Sequence, residues 1–185
     1  MKLLAFTSSL RSGSTNKKLV TLAAEIAVRN GVEVDLADFH DFDTPSYDGD
    51  LQEKGFPPGT LKFANRVQSA DGLLLSLPEY NFSMPGNFKN SIDWLSRIKP
   101  QPLRGKSALL LSASISAVGG IRGLWQSRVP LEGLGVFVYP DMYTLSHSEE
   151  AFDENGKLKD EKKYERLEKI VKEYLKIAPN LTVGH

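Results

Sequence analysis

The stretch that decides the fold reads Thr7-Ser8-Ser9-Leu10-Arg11-Ser12-Gly13-Ser14-Thr15-Asn16. It lies between a short apolar run, Leu3-Leu4-Ala5-Phe6, and an amphipathic stretch over residues 17–30. A strand, a loop of small polar residues and a helix in this order form the first βα turn of a doubly wound α/β domain. Ligands of open parallel sheets bind at the carboxyl ends of the strands. The stretch therefore predicts both a fold class and a candidate binding site.

The same stretch has the composition of a phosphate-binding loop. The N-terminus of a helix carries unpaired N–H groups and a partial positive charge, and both attract anions. The loop adds Ser and Thr hydroxyls and the guanidinium of Arg11, which can hold a phosphate bidentately. The alternative interpretation is a loop that only caps the helix, with Ser14 or Asn16 as the N-cap. The stretch lacks G-K-[ST] and G-x-G-x-x-G, so it is not a Walker or dinucleotide-binding loop.

Composition excludes several classes of function. The 185 residues suit one domain, and 23 basic residues balance 23 acidic ones, so the net charge is zero. A protein that binds nucleic acid by neutralising phosphates carries excess positive charge. This chain has no such excess, so we expect no nucleic acid to bind to it. The chain has no Cys, which excludes disulfides, thiolate nucleophiles and Cys-ligated metals. His40, His147 and His185 are scattered, so no metal site is expected.

Hydropathy predicts a protein without membrane insertion. No apolar stretch is long enough to span a bilayer. The apolar run near the amino terminus is too short for the core of a signal peptide, and we interpret it as the first strand. We expect a cytoplasmic location.

Periodicity predicts alternating strands and helices. Apolar runs predict strands at residues 3–6, 72–77, 107–112 and 135–139, and the alternation of Val32-Glu33-Val34-Asp35-Leu36 predicts another strand at residues 32–36. Helical spacing predicts helices at residues 17–30, 60–69, 87–97, 121–132 and 160–177, with Leu61, Ala64 and Val67 inward in the second. Residues 38–59 form a long polar stretch. We predict an α/β, flavodoxin-like, doubly wound, five-stranded parallel sheet of order 2-1-3-4-5, with helices on both faces. One domain is expected over residues 1–178, followed by a tail over 179–185.

Three loops are expected to meet at one edge of this sheet, after strands one, three and four. The middle loop reads Pro78-Glu79-Tyr80-Asn81-Phe82-Ser83-Met84-Pro85-Gly86. Its aromatic rings and polar edges suit a flat heteroaromatic ring, although Tyr80 and Phe82 packing on the core is the alternative. The third loop ends in Gly119-Gly120, which allows a close approach of backbone to a ligand.

The motifs of these loops resemble those of a known family. They are Ser9-Leu10-Arg11-x-x-Ser14-x-Asn16, Pro78-Glu79-Tyr80-Asn81-x-Ser83-x-Pro85-Gly86-x-x-Lys89-Asn90-x-x-Asp93-Trp94, and Gly119-Gly120-x-Arg122. The chain is similar in these motifs to the NADPH-dependent FMN reductase family, which includes quinone, chromate and azo-dye reductases. The resemblance implies a flavodoxin-like fold, non-covalent FMN, and NADPH or NADH as co-substrate. It also implies a small electron acceptor such as a quinone, chromate, an azo compound or free flavin.

The loops and the resemblance together assign a cofactor site. The predicted FMN-binding residues are Ser9, Arg11, Ser14, Thr15, Asn16, Pro78, Glu79, Tyr80, Asn81, Phe82, Ser114, Gly119 and Gly120. The resemblance places Ser9, Arg11, Ser14 and Asn16 at the phosphate and its loop, and residues 78–81 along the ribityl chain and ring. The resemblance also implies hydride transfer from the nicotinamide to flavin N5, for which no catalytic side chain is required. Ser8, Ser116 and Ala117 stand where family members usually have glycine, and their Cβ atoms are expected to narrow the approach to the flavin.

Two alternative functions use the same scaffold. A nucleoside deoxyribosyltransferase would use Glu79 as the nucleophile, and a flavodoxin-like electron carrier would bind FMN without acting as an enzyme. Arg122 either faces the 2′-phosphate of NADPH or is an ordinary helix-surface residue.

A homodimer or homotetramer is also expected. The helix over residues 87–97 carries Phe88, Ile92, Trp94 and Leu95 on more than one face, and Leu124 and Trp125 follow the third loop. Large apolar side chains left exposed beside a cofactor mark an interface.

Overall fold

A computed structural model describes residues 1–181 and shows a parallel sheet between two layers of helices. The strands are β1 (Lys2–Thr7), β2 (Glu33–Leu36), β3 (Gly72–Ser76), β4 (Ser107–Ala113), β5 (Phe137–Val138) and β6 (Tyr143–Leu145). The helices are α1 (Thr15–Arg29), α2 (Gly49–Glu53), α3 (Pro58–Gln68), α4 (Gly86–Leu95), α5 (Ile121–Gly133) and α6 (Glu161–Leu181), with a 3₁₀ helix at Phe39–Phe42. Helix α6 extends beyond residue 178, and the last four residues of the expected tail, including His185, lie outside the described residues.

The predicted strand order is confirmed. The strands follow the order β2-β1-β3-β4-β5, and all neighbouring pairs are parallel. Residues of β1, β3 and β4 point alternately to the two faces, where they pack against α1 and α6 on one side and α3, α4 and α5 on the other. Leu3 and Leu74 thus belong to one core, and Leu4 and Leu73 to the other. Burial on both faces explains why these strands read as continuous apolar runs.

The strand expected at residues 135–139 is shorter than predicted, and a sixth strand follows it. Strand β5 pairs with the first residues of β4, and β6 pairs with the last ones, at Leu111, Ser112 and Ala113. Pro140 lies between the two segments and has no N–H to continue the ladder. The fifth position of the sheet is therefore an interrupted edge strand. The three residues of β6 are too few for a period to reveal them.

The polar stretch over residues 38–59 contains unpredicted structure. Phe39 and Phe42 of the 3₁₀ helix are buried against Phe6, with ring centroids 5.5 and 6.1 Å from it, and Phe63 joins them at 5.4 Å. The inward position predicted for Leu61 is wrong, because that side chain is 45% exposed and Phe63 points into the core instead. Aromatic packing beneath a polar loop thus fixes the register of α3.

Charged groups fasten this corner to the edge of the sheet. The guanidinium of Arg66 on α3 donates to Asp35 on β2 and to Asp41, and it lies 5.3 Å from the ring centre of Phe42. The hydrogen bonds from Arg66 lower the pKa of Asp35. The hydrogen bonds with the His40 side chain and backbone lower the pKa of Asp38 to about 2.

The shifted carboxyl groups predict a dependence of stability on acid pH. A carboxyl group whose pKa is lower in the folded state stabilises the fold above its unfolded pKa, and this contribution is lost as the pH falls through the folded pKa. We expect the free energy of unfolding, measured by urea titration, to fall between about pH 4 and about pH 2. Asp35→Asn should lower the free energy of unfolding at neutral pH and so make its decrease toward pH 2 smaller. Glu154→Gln, on an exposed turn, should leave the size of that decrease unchanged. If the free energy of unfolding falls equally steeply with pH in wild type and in Asp35→Asn, the lowered pKa of Asp35 does not contribute to acid stability.

Candidate functional site

An open groove of about 290 Å³ lies where β1, β3 and β4 end. The three loops predicted to meet do line it, together with a fourth segment after β6. The lining residues are Ser9, Arg11, Ser14, Thr15, Asn16, Pro78, Glu79, Tyr80, Ala113, Ser114, Ile115, Ser148 and Glu149. The groove thus lies where a ligand site is expected, at the point where the strand order reverses.

One end of the groove is rich in unpaired donors. Ser14 is the N-cap of α1, and its Oγ accepts from the backbone N–H of Lys17 at 3.2 Å. The N–H groups of Thr15 and Asn16, in the first turn, have no acceptor within residues 1–181. The exposed guanidinium of Arg11 has no ion-pair partner in that part of the chain. Capping by Ser14 therefore coexists with a set of donors free to bind an anion.

The Asn16 side chain is committed to the fold. It is buried, and its Nδ2 donates to the carbonyl oxygen of Ala113 at 2.8 Å. Its Oδ1 accepts from Ala113 N at 2.9 Å and from Ser76 Oγ at 2.9 Å. The amide thus ties α1 to the ends of β3 and β4, and only the backbone N–H of Asn16 remains for a ligand.

The middle loop forms a tight turn at the other end of the groove. Tyr80 and Ser83 exchange two backbone hydrogen bonds of 3.0 Å, and the two residues between them, Asn81 and Phe82, have φ values of 47° and 65°. Among the described residues, no acceptor faces the N–H groups of Asn81 and Phe82. Phe82 is 68% exposed and Tyr80 51%, so the alternative in which both rings pack on the core is wrong.

The Glu79 carboxylate is fully engaged. Its side chain is 6% exposed and pairs with the Arg122 guanidinium, at 2.8 Å from Nε and 2.6 Å from Nη2. It also accepts from the backbone N–H groups of Arg122 and Gly123 at 3.0 and 3.2 Å. This arrangement leaves no free nucleophile at Glu79, and it occupies the guanidinium that was considered for the NADPH 2′-phosphate.

The third loop contributes Ser114 to the groove, but its glycines serve packing. Gly119 and Gly120 have φ values of 64° and 89° and do not line the groove. A Cβ on Gly120 would lie 2.1 Å from Ser112 Oγ, and one on Gly119 would lie 2.9 Å from Thr144 Cβ. These glycines therefore allow a close approach to the neighbouring strands β4 and β6.

Several other predicted positions lie outside the groove lining. These are Ser8, Ser116 and Ala117, together with Asn81 and Phe82, which border the groove directly after the lining residue Tyr80. Ser8 is buried with its Oγ unpaired, so its Cβ does not narrow the groove.

The fourth wall was not predicted. Ser148 is buried, its Oγ lies 3.1 Å from Thr15 Oγ1, and its N–H donates to the carbonyl oxygen of Ser114. His147, with a φ of 50°, turns the chain so that Ser148 and Glu149 reach the groove. Nothing in the polar sequence after β6 signals this contact, because it depends on where β6 ends.

Within residues 1–181, no three side chains of His, Asp or Glu are grouped to hold a metal ion, and His40 and His147 are exposed. No helix there combines the length and hydropathy needed to cross a bilayer.

A parallel sheet of order 2-1-3-4-5, with a donor-rich βα turn and a groove at its carboxyl edge, defines a flavodoxin-like protein. The chain belongs to the NADPH-dependent FMN reductase family, whose profile matches residues 1–150. The predicted family, enzyme class, and dependence on FMN and NAD(P)H are confirmed by this match.

Individual relatives agree with the family. An NAD(P)H-dependent FMN reductase of Pseudomonas aeruginosa is 38% identical over 170 residues, covering 91% of this chain and 90% of the relative. A quinone reductase of Escherichia coli is 38% identical over 139 residues, covering 75% of this chain and 73% of the relative. The two alternatives, a deoxyribosyltransferase and an electron carrier, find no support among these relatives.

Solved structures agree in fold. The flavoenzyme NAD(P)H:(acceptor) oxidoreductase of Paracoccus denitrificans superposes with a TM-score of 0.86 and 29% identity, over 98% of this chain and 99% of the other. Flavodoxin 1 of Bacillus cereus shares the fold, with a TM-score of 0.62. The match has 18% identity and covers 95% of this chain and 98% of the other.

Proposed function

We propose that the protein transfers electrons from NAD(P)H to a quinone by means of FMN held in the groove. When bound, FMN supplies hydride acceptance and electron transfer, and the protein supplies binding and orientation. The observation that carries the proposal is the set of unpaired donors at the start of α1, which suits a phosphate in charge and in donor type. We also propose a single domain over residues 1–178 and a location in the cytoplasm, where NAD(P)H is available.

The phosphate of FMN is assigned to the end of the groove formed by α1. Arg11 supplies a guanidinium that lacks an ion-pair partner within residues 1–181, and Thr15 and Asn16 supply N–H groups. Ser9 lines the same end. A guanidinium together with the N-terminus of a helix favours a phosphate dianion over a neutral ligand.

The flavin ring is assigned to the end formed by the turn at Tyr80–Ser83. The free N–H groups of Asn81 and Phe82 are donors of the kind that the carbonyl and nitrogen edge of a flavin accepts. The groove is open to solvent there, so a second flat molecule can reach the ring.

A quinone is the acceptor that this surface favours. Tyr80 and Ile115 line the groove and are exposed, and the exposed Phe82 follows Tyr80 in the same turn, so this end of the groove presents apolar area. A flat aromatic acceptor gains from such contacts, whereas a small anion such as chromate does not. Quinone reductases also stand among the relatives.

Titration and steady-state assays test this function. Purified protein reconstituted with FMN should turn yellow, bind FMN more tightly than riboflavin, and oxidise NADPH or NADH when a benzoquinone is present. The benzoquinone should give a higher kcat/KM than chromate, an azo dye or free FMN. A protein that binds no FMN, or one that binds it without NAD(P)H oxidation, would contradict the proposal.

The contact surface of the expected oligomer is not the helix that the sequence predicts. Phe88, Ile92, Trp94 and Leu95 of α4 are all buried within their own chain, so the expectation that this helix leaves apolar groups uncovered is wrong. Helix α5 instead exposes Trp125 and Val129, at 55% and 69%, and these residues are one turn apart. We propose that this α5 face joins two copies in a homodimer or a homotetramer.

Sedimentation checks the oligomer. At micromolar concentration we expect a mass at least twice 20.5 kDa. Trp125→Glu should reduce the mass toward one chain, because a carboxylate would be buried in the contact. Val28→Glu, at an exposed apolar position on α1, is the matched control and should leave the mass unchanged. A wild type that sediments as a single chain with full reductase activity would contradict the proposal.

A further inference from the structure

Three side chains form a clamp between the middle loop and α5. The Arg122 guanidinium holds the Glu79 carboxylate on one side, and the Phe82 ring lies over it with 4.6 Å between the guanidinium carbon and the ring centroid. Glu79 comes just before the turn at Tyr80–Ser83, and Phe82 is within it. Arg122 thus contacts both the residue before the turn and a residue within it. We call Glu79, Arg122 and Phe82 the loop clamp.

The turn needs such a restraint because its conformation is unfavourable. A non-glycine residue with positive φ is strained, and a bulky residue such as Phe is rarer there than Asn. Asn81 and Phe82 both have φ values in the left-handed region. Their backbone N–H groups are the donors that we assign to the flavin ring. Without the loop clamp, Phe82 would be free to relax toward a negative φ. The directions of both N–H groups would then change.

Helix α5 is placed to transmit this restraint. A Cβ on Gly123 would lie 3.1 Å from Glu79 Cα and 3.2 Å from the carbonyl oxygen of Ser83, so the helix backbone touches the loop directly. The Glu79 carboxylate also accepts from the N–H groups at the start of α5, where the helix dipole favours an anion. The turn at Tyr80–Ser83 and the first turn of α5 are therefore packed and hydrogen-bonded against each other.

We propose that Arg122 is a positioning residue that holds the turn at Tyr80–Ser83 in its left-handed conformation and so directs the N–H groups of Asn81 and Phe82 to the flavin ring. This inference rests on the proposed function, since it requires that the groove binds a flavin. Arg122 acts through the turn, so its loss affects the ring end of the site and spares the phosphate end.

Affinities for FMN and for riboflavin separate the two ends. Both flavins share the ring, and only FMN carries the phosphate. In fluorescence-quenching titrations of the apoprotein, Arg122→Met should weaken both flavins by the same factor, roughly tenfold, the scale of a lost hydrogen bond to a charged group. The visible absorption bands of bound FMN should shift toward those of free FMN. An unchanged affinity for both flavins with an unchanged spectrum would overturn the proposal, as would a loss confined to FMN.

Further variants guard against a simple loss of folding. Phe82→Ala removes the exposed half of the clamp, and it should weaken both flavins severalfold while the apoprotein keeps its melting temperature. Lys172→Met removes a cation from an exposed ion pair with Glu168 on α6, and it should change nothing. Wild type that binds neither flavin would instead refute the proposed function. Wild type that binds FMN while Arg122→Met and Phe82→Ala match it would refute only the role of Arg122.

Discussion

Arg11→Ala is expected to weaken FMN binding by roughly 1.5–3 kcal/mol, the range for a hydrogen bond to a charged group. This corresponds to an increase in Kd of roughly 10- to 150-fold. The reason is that Arg11 lines the donor-rich end of the groove without an ion-pair partner inside residues 1–181, so its charge is available to a phosphate. Isothermal titration of the apoprotein with FMN measures the effect.

Riboflavin is the control ligand for this change. It lacks the phosphate, so it should bind wild type weakly and bind Arg11→Ala equally weakly. Arg29→Ala removes one positive charge from the opposite end of α1, and it should leave FMN affinity unchanged, which separates a local contact from net charge. If FMN and riboflavin bind wild type with the same affinity, the assignment of the phosphate is wrong.

Asn16→Ala is expected to lower the free energy of unfolding by roughly 3–4 kcal/mol. The change leaves the N–H and carbonyl of Ala113 and the Ser76 hydroxyl without their partner, in a buried place. Each unsatisfied buried group costs about 1–3 kcal/mol, and partial entry of water reduces the sum. Urea denaturation of the apoprotein measures the loss.

A smaller change at the same network calibrates this prediction. Ser76→Ala removes a single hydrogen bond to Asn16, and it should cost about 1 kcal/mol. A loss in Asn16→Ala no larger than that in Ser76→Ala would show that the amide does not fasten the two strands.

Regular parts of the fold could be predicted because their period is written in the sequence. Strands β1, β3 and β4 are buried on both faces, and each appears as an uninterrupted apolar run. Helix α1 shows its inward face through Leu19, Ala23 and Ile26. Once five strands alternate with helices, the order 2-1-3-4-5 is one of a few permitted arrangements.

Short elements could not be predicted, because they depend on distant contacts. The 3₁₀ helix exists because Phe39 and Phe42 fill a space beside Phe6, and β6 exists because β4 extends past β5. Neither is long enough to show a period. Leu61 was misplaced for a related reason, since the register of α3 is fixed by Phe63 against that aromatic cluster.

The location of the site could be predicted, while several roles within it could not. Three loops had to meet where their strands end, and the donor-rich composition of the first was visible in the sequence. The engagement of Glu79 with Arg122 joins residues far apart in the chain, and the contact of Ser148 with Thr15 does the same. No local pattern distinguishes such partners from free side chains.

The interrupted edge strand also limits how the chain can associate wrongly. An unpaired strand edge is a template for another chain, and proteins blunt such edges with charge, proline and short length. One edge of this sheet is β2, which has four residues and carries Glu33 and Asp35. The opposite edge is cut by Pro140 into segments of two and three residues. Neither edge offers a long, uncharged ladder, so the native sheet resists edge-to-edge aggregation at high concentration.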